Sequence, residues 1–177
     1  MKFFLISFFV SCLFNYKAFS LDTIAKQAIL YDYETKTIIF EKNSEELMSP
    51  SSMSKIMTIY YVFKKIKDGD LKLTDKFKVS KKAWKKGGSK MFVNVNTMVS
   101  VEDLIRGIIV QSGNDACIAI AEGISGSEAL FAEELNLLAK EIGMINSSFT
   151  NSTGWPDPDH LTTIQDLLTL TVRTIED

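Results

Sequence analysis

The spacing of apolar and polar residues divides this chain into a short β-favouring opening and a long helical remainder. Ala28-Ile29-Leu30-Tyr31 and Thr37-Ile38-Ile39-Phe40 are β-favouring runs separated by the polar residues 32–36, which predicts a β-hairpin. From Ser52 the pattern changes. Ile56-Met57-Thr58-Ile59-Tyr60-Tyr61-Val62-Phe63 is apolar almost all the way round, as in a helix buried on most sides. Helical periodicity returns over residues 101–110, 116–122, 127–141 (closed by Gly143) and 163–175, with Ser112-Gly113-Asn114 in the link between the first two. One hairpin followed only by helices leaves a two-stranded sheet, which is marginal in isolation. The order therefore predicts a mostly helical α+β chain with an incomplete antiparallel sheet and an exposed strand edge. No internal repeat, low-complexity tract or interdomain linker interrupts it.

The first twenty residues follow a different rule. Lys2 precedes an apolar, Phe-rich run over residues 3–14, and Ala18-Phe19-Ser20 ends the segment with small residues at the cleavage positions. This is the pattern of a secretory signal peptide, its apolar run being shorter than the roughly 20 residues that span a bilayer. Residues 1–20 are expected to be removed and the protein exported to the periplasm or cell envelope; a retained N-terminal anchor is the alternative. Phe9-Val10-Ser11-Cys12 lacks the leucine three before the cysteine that a lipoprotein site uses. Cleavage leaves 157 residues, enough for one core, and Cys117 as the remaining cysteine, so no intramolecular disulfide is expected and Cys117 reads as core.

Charge narrows the function. From Leu21 onward eighteen basic residues face twenty-two acidic ones, a net charge of −4, which argues against a nucleic-acid partner. One histidine and one cysteine give no zinc-ligand spacing, no Gly-rich phosphate loop follows a strand, and no cofactor is implied. Lys81, Lys82, Lys85, Lys86 and Lys90 surround Trp84 and could face anionic lipid or wall polymer, a peripheral membrane association; the ordinary reading of such a cluster is a solvated surface.

Candidate chemistry sits at the head of the apolar helix, in Ser52-Met53-Ser54-Lys55. A serine hydroxyl needs a base to take its proton as it attacks a carbonyl, and residues three apart on a helix converge on one face. Burial would lower the Lys55 pKa toward that of a working base, and the helix N-terminus would favour negative charge developing at Ser52. His160, in the loop Pro156-Asp157-Pro158-Asp159-His160, is the base a Ser-His-Asp triad would need, but a lone histidine in such a loop reads as a surface or loop-packing residue. Ser112-Gly113-Asn114 is either an ordinary turn and cap or a second cluster of polar groups held between two helices.

Together these motifs resemble the low-molecular-mass penicillin-binding proteins that act as D-alanyl-D-alanine carboxypeptidases. The likeness covers residues 50–58, Gly87-Gly88-Ser89-Lys90-Met91-Phe92, residues 99–104, residues 107–119 around Gln111-Ser112-Gly113-Asn114-Asp115-Ala116, then Leu161-Thr162-Thr163 and Asp166-Leu167. It implies a β-lactamase/DD-peptidase-like (transpeptidase-like) α+β fold with a helical subdomain. It also implies Ser52 as acylated nucleophile, Lys55 as general base, and Ser112 and Asn114 lining the cleft, relaying protons and hydrogen-bonding the substrate. The implied partners are peptidoglycan stem peptides ending in D-Ala-D-Ala, with β-lactams as covalent inhibitors. The family's third motif, Lys-Thr-Gly, occurs nowhere in the 177 residues, so residues 21–177 read as a partial domain without the segment that attracts the substrate carboxylate. An inactive remnant, a penicillin- or wall-binding fragment, and a β-lactamase-like hydrolase are the alternatives. Lys36 also departs from the glycine usual in the family's first hairpin, and Trp155 from a commoner aliphatic residue.

Overall fold

The computed structural model describes residues 21–177, and the expected signal segment lies outside the described residues. The hairpin forms as the pattern predicts: β1 (Ala28–Asp32) pairs antiparallel with β2 (Thr37–Lys42), from Ala28 opposite Lys42 to Asp32 opposite Thr37. Asp32 closes the turn by accepting the Glu34 and Thr35 N–H groups on Oδ1. Lys36 stands in the left-handed region at φ 57°, where a glycine would be unstrained, and its Nζ reaches Glu176 at 2.6 Å. Among the described residues β2 pairs with no strand but β1, so its outer edge is open as expected, and its Ile38 and Ile39 are exposed.

Helix α1 (Ser54–Lys67) begins two residues later than its pattern suggests, because residues 51–53 form a 3₁₀ turn instead. A second sheet then departs from the expectation of helices alone. β3 (Lys76–Lys78) pairs antiparallel with β4 (Met98–Ser100), and a short helix, α2 (Lys81–Lys85), lies between them. Three-residue strands are too short to leave a readable alternation. Phe77, the middle residue of β3, lies so close to Gly123 that a Cβ there would come within 2.1 Å of its ring.

The remaining helices are α3 (Val101–Gln111), α4 (Asn114–Ser125), α5 (Glu128–Glu141) and α6 (Ile164–Glu176). Ser100, Ser127 and Thr163 cap three of them, each side chain accepting the N–H of the third helical residue, a contact worth about 1 kcal/mol. Asn114 is the first residue of α4 rather than a link residue, because Gly113 occupies the cap.

Two hydrophobic cores meet on α1. Ile59 and Val62 join Leu104 and Ile108 of α3 and Ile118 and Ile120 of α4. Met57, Tyr60 and Tyr61 join Phe131 and Leu135 of α5 and Leu167 and Leu170 of α6. A helix with a core on either side must be apolar nearly all round, as its sequence is. Cys117 is fully buried in the first core, and burial pushes its thiol up to about 12. Among the described residues no helix is long and apolar enough to cross a membrane.

Candidate active site

The head of α1 is built by an unusual turn. Ser51 adopts φ 48°, and its carbonyl accepts the Ser54 hydroxyl at 2.8 Å. The following Ser52 is exposed, whereas Lys55 is only 6% exposed, so one residue faces solvent and the other the interior. The three-residue spacing brings them together in the 3₁₀ turn as it would in an α-helix: Lys55 Nζ lies 3.2 Å from Ser52 Oγ. The same Nζ donates to the Thr153 carbonyl at 2.8 Å. Lys55 has no ion-pair partner among the described residues, and burial lowers its pKa below that of an ordinary lysine.

Ser112 terminates α3 in the left-handed conformation, φ 52°, half-buried. A cleft of about 290 Å³ is lined by Ser52, Lys55 and Ser112 together, with Ile56, Ile108 and Ile109 as apolar wall. Asn114 does not line it. Its side chain is buried and donates from Nδ2 to the Gly87 carbonyl at 2.8 Å, while its backbone N–H donates to Ser89. Three of the four candidate residues therefore share one cleft, and the fourth anchors a loop beside it.

Several residues that the sequence did not single out hold this arrangement. Asp115, fully buried, accepts the backbone N–H groups of Met91, Phe92 and Val93, pinning the loop on which Gly87 and Ser89 lie. On the other side Glu128 accepts both the N–H and the hydroxyl of Ser152 and pairs with Lys82 at 2.7 Å. Burial pushes the Glu128 carboxyl up, but the bonds from Lys82 and Ser152 outweigh it and hold the group below the usual glutamate value. Ser152 passes this support to α1 by accepting the Thr58 hydroxyl. Gly154, at φ 77°, lies against the Ser51 carbonyl so closely that a Cβ would stand 1.7 Å from its oxygen. The only sequence trace of these contacts is acidic residues among apolar neighbours.

Of the two readings of His160, surface or loop-packing, the structure shows the second: it is fully buried, and its Nε2 reaches Ser54, not Ser52, so it is not the base of a triad. The lysine cluster lies on the surface, Lys81, Lys82 and Lys85 being exposed, and some of it is tied along that surface: besides Lys82, Lys90 donates to the Trp84 carbonyl and Lys86 Nζ stands 4.0 Å above the Trp155 ring.

With this geometry in view, the comparisons with known proteins agree in direction. A family model described as D-alanyl-D-alanine carboxypeptidase matches residues 15–177. The D-alanyl-D-alanine carboxypeptidase DacF of Bacillus subtilis is 39% identical over 143 residues, covering 81% of this chain and 37% of the relative. The crystal structure of the D-alanyl-D-alanine carboxypeptidase DacD from Francisella tularensis superposes with a TM-score of 0.86 at 39% identity, covering 89% of this chain and 38% of that one. Penicillin binding protein 5 from Haemophilus influenzae superposes with the same TM-score, 0.86, at 36% identity, covering 89% and 47%. The chain spans about two fifths of the length of the curated relatives it matches. These matches run through both cores and both motifs, and the chain belongs to the D-alanyl-D-alanine carboxypeptidase family.

Proposed function

We propose that this chain carries the acylating site of a serine D-alanyl-D-alanine carboxypeptidase that trims peptidoglycan stem peptides. The observation that carries the reading is a buried Lys55 amine within reach of the exposed Ser52 hydroxyl. As the free amine, Lys55 keeps one N–H on the Thr153 carbonyl and turns its lone pair to Ser52 Oγ. Ser52 Oγ then bonds to the carbonyl carbon of the penultimate D-alanine while its proton passes to Lys55. Collapse of the adduct breaks the peptide C–N bond, the proton goes to the departing amine, and D-alanine leaves. Water hydrolyses the resulting ester by the reverse proton path. A β-lactam would acylate Ser52 by the same steps, its ring amide opening while the leaving amine stays attached.

By the family resemblance Ser112 relays protons and Asn114 hydrogen-bonds the peptide; its side-chain amide rests on the Gly87 carbonyl beside the cleft. The resemblance assigns carboxylate recognition to a Lys-Thr-Gly segment that is not among the 177 residues, so acylation and release are best measured separately. The export signal expected in residues 1–20 would deliver the enzyme to the periplasm or cell envelope, where stem peptides are exposed.

The test uses the folded chain, its Ser52→Ala variant, a labelled penicillin and a stem-peptide analogue ending in D-Ala-D-Ala. Intact mass should show one adduct on the wild type and none on Ser52→Ala, and D-alanine should be released from the analogue. An adduct without release restricts the chain to the acylating step. A folded wild type that takes no adduct overturns the proposal.

A further inference from the structure

His160 is the one fully buried imidazole in the described residues, and the mechanism above does not use it. Its two nitrogens face different pieces of the site. Nδ1 accepts the Thr150 N–H at 3.1 Å, and the Asn151 side-chain amide approaches it at 3.3 Å. An acceptor at Nδ1 puts the ring hydrogen on Nε2, 2.8 Å from Ser54 Oγ. Ser54 donates its own hydrogen to the Ser51 carbonyl, so it accepts from the ring. Asn151 continues the chain of contacts, its Oδ1 accepting the Thr153 N–H, the Thr153 hydroxyl and the Trp155 N–H. Thr153 in turn offers its carbonyl to Lys55.

We propose that His160 is a positioning residue of this site. As the neutral ring it ties the Ser51–Ser54 turn to the loop of residues 150–155, and a second ring proton releases that loop together with the Thr153 carbonyl that holds the Lys55 amine. The second proton would sit on Nδ1, where the Thr150 hydroxyl at 3.2 Å can accept it, but the Thr150 N–H and the Asn151 amide would lose their acceptor and face a donor instead. Those groups must then move, and the bonds from Asn151 Oδ1 carry the movement to Thr153.

The surroundings fix the direction of the effect. Burial holds His160 below the ordinary histidine range, and Asp157, on the same loop, is the charged group that opposes this. The other faces are uncharged: α1 presents Ser54, and the preceding segment presents Thr150, Asn151 and the edge-on Phe149 ring, 5.6 Å away centroid to centroid. Lys55, the next residue on α1, is turned to Thr153. The loop is therefore held at neutral pH and released on acidification below about 6.5.

The functional arm of this proposal rests on Lys55 being the base; the structural arm does not. NMR of the full chain from pH 8 to pH 4.5 follows the His160 ring, the Thr150 amide and the Thr153 carbonyl, alongside the rate of acylation by a labelled penicillin. The three signals should move on one titration curve, and the rate should fall about tenfold along it. In His160→Gln, which retains an amide donor and does not titrate, the curve and the matching limb of the rate profile should vanish, leaving the limb that belongs to Lys55. A ring that titrates while Thr150 and Thr153 stay still overturns the proposal, as does a ring that remains neutral until the chain unfolds. Signals that move together in a wild type that penicillin never labels would keep His160 as the positioning residue and refute the proposed function instead. The wild-type titration decides the matter even if the variant does not fold.

Discussion

Replacing Asp115 with asparagine changes one atom and should cost about as much stability as truncating a large side chain in the core. Asp115 Oδ1 accepts the Met91 and Ala116 N–H groups at 2.9 and 3.0 Å, and Oδ2 accepts Phe92 and Val93 at 2.9 and 3.3 Å. In Asp115→Asn one oxygen survives, and the new NH₂ points at two backbone N–H groups. Hydrogen bonds to a charged acceptor contribute about 1.5–3 kcal/mol each, so losing two at the low end costs about 3 kcal/mol. Loss of the negative charge near the start of α4 adds about 0.5 kcal/mol. The expected loss is about 3–4 kcal/mol, or a Tm lower by roughly 6–16 °C for a chain of this size. Urea unfolding with an unchanged slope measures it, and amide exchange should show protection falling at residues 91–93 before the core opens. A loss below about 1 kcal/mol, or a larger loss with protection at 91–93 intact, would refute the account of Asp115 as the pin of this loop.

Two further substitutions probe the opposite wall. In Gly154→Ala the added Cβ would stand 1.7 Å from the Ser51 oxygen at a backbone φ of 77°, so the loop or the Ser51–Ser54 turn must shift. The expected cost is about 3 kcal/mol in urea unfolding, with penicillin labelling of Ser52 lost in the protein that remains folded; a variant within 1 kcal/mol of wild type that labels normally would show that the contact does not set the turn. Lys55→Met removes a buried ionisable amine that has no acidic partner among the described residues. It should abolish labelling while raising stability by about 1–3 kcal/mol, and a lower urea midpoint would mean that the bond to Thr153 outweighs the desolvation it accompanies.

How much of this was readable beforehand depended on sequence distance. The hairpin, α3, α5 and α6 were legible because each rests on local periodicity and a cap within four residues. The Ser52–Lys55 pair was legible for the same reason, since a three-residue spacing converges in either type of helical turn. What escaped were strands too short for alternation, β3 and β4, and every contact made by a side chain to a distant backbone. Thr153 lies 98 residues from Lys55, and Ser152 lies 24 from Glu128. Composition does not say which carbonyl a lysine will find. The lysine cluster around Trp84 reads as solvated surface and is one, with Lys81, Lys82 and Lys85 exposed; what the charge run does not tell is that Lys82, Lys86 and Lys90 each also find a partner along that surface.

The apolar run of α1 does more than mark a core. Removing one ammonium from water costs several kcal/mol, and Lys55 has only neutral oxygens to offset it. On the next two turns Met57, Ile59 and Val62 are buried in the two flanking cores, each contributing about 1.5–3 kcal/mol. Those contacts hold α1 in a position where Lys55 cannot turn back to solvent, so the burial that lowers its pKa is imposed by its neighbours. A polar residue at Met57 or Val62 would weaken that constraint even though neither touches Ser52. The residues that predict a buried helix are thus the ones that make its lysine a plausible base, and fold and chemistry rest on the same stretch of sequence.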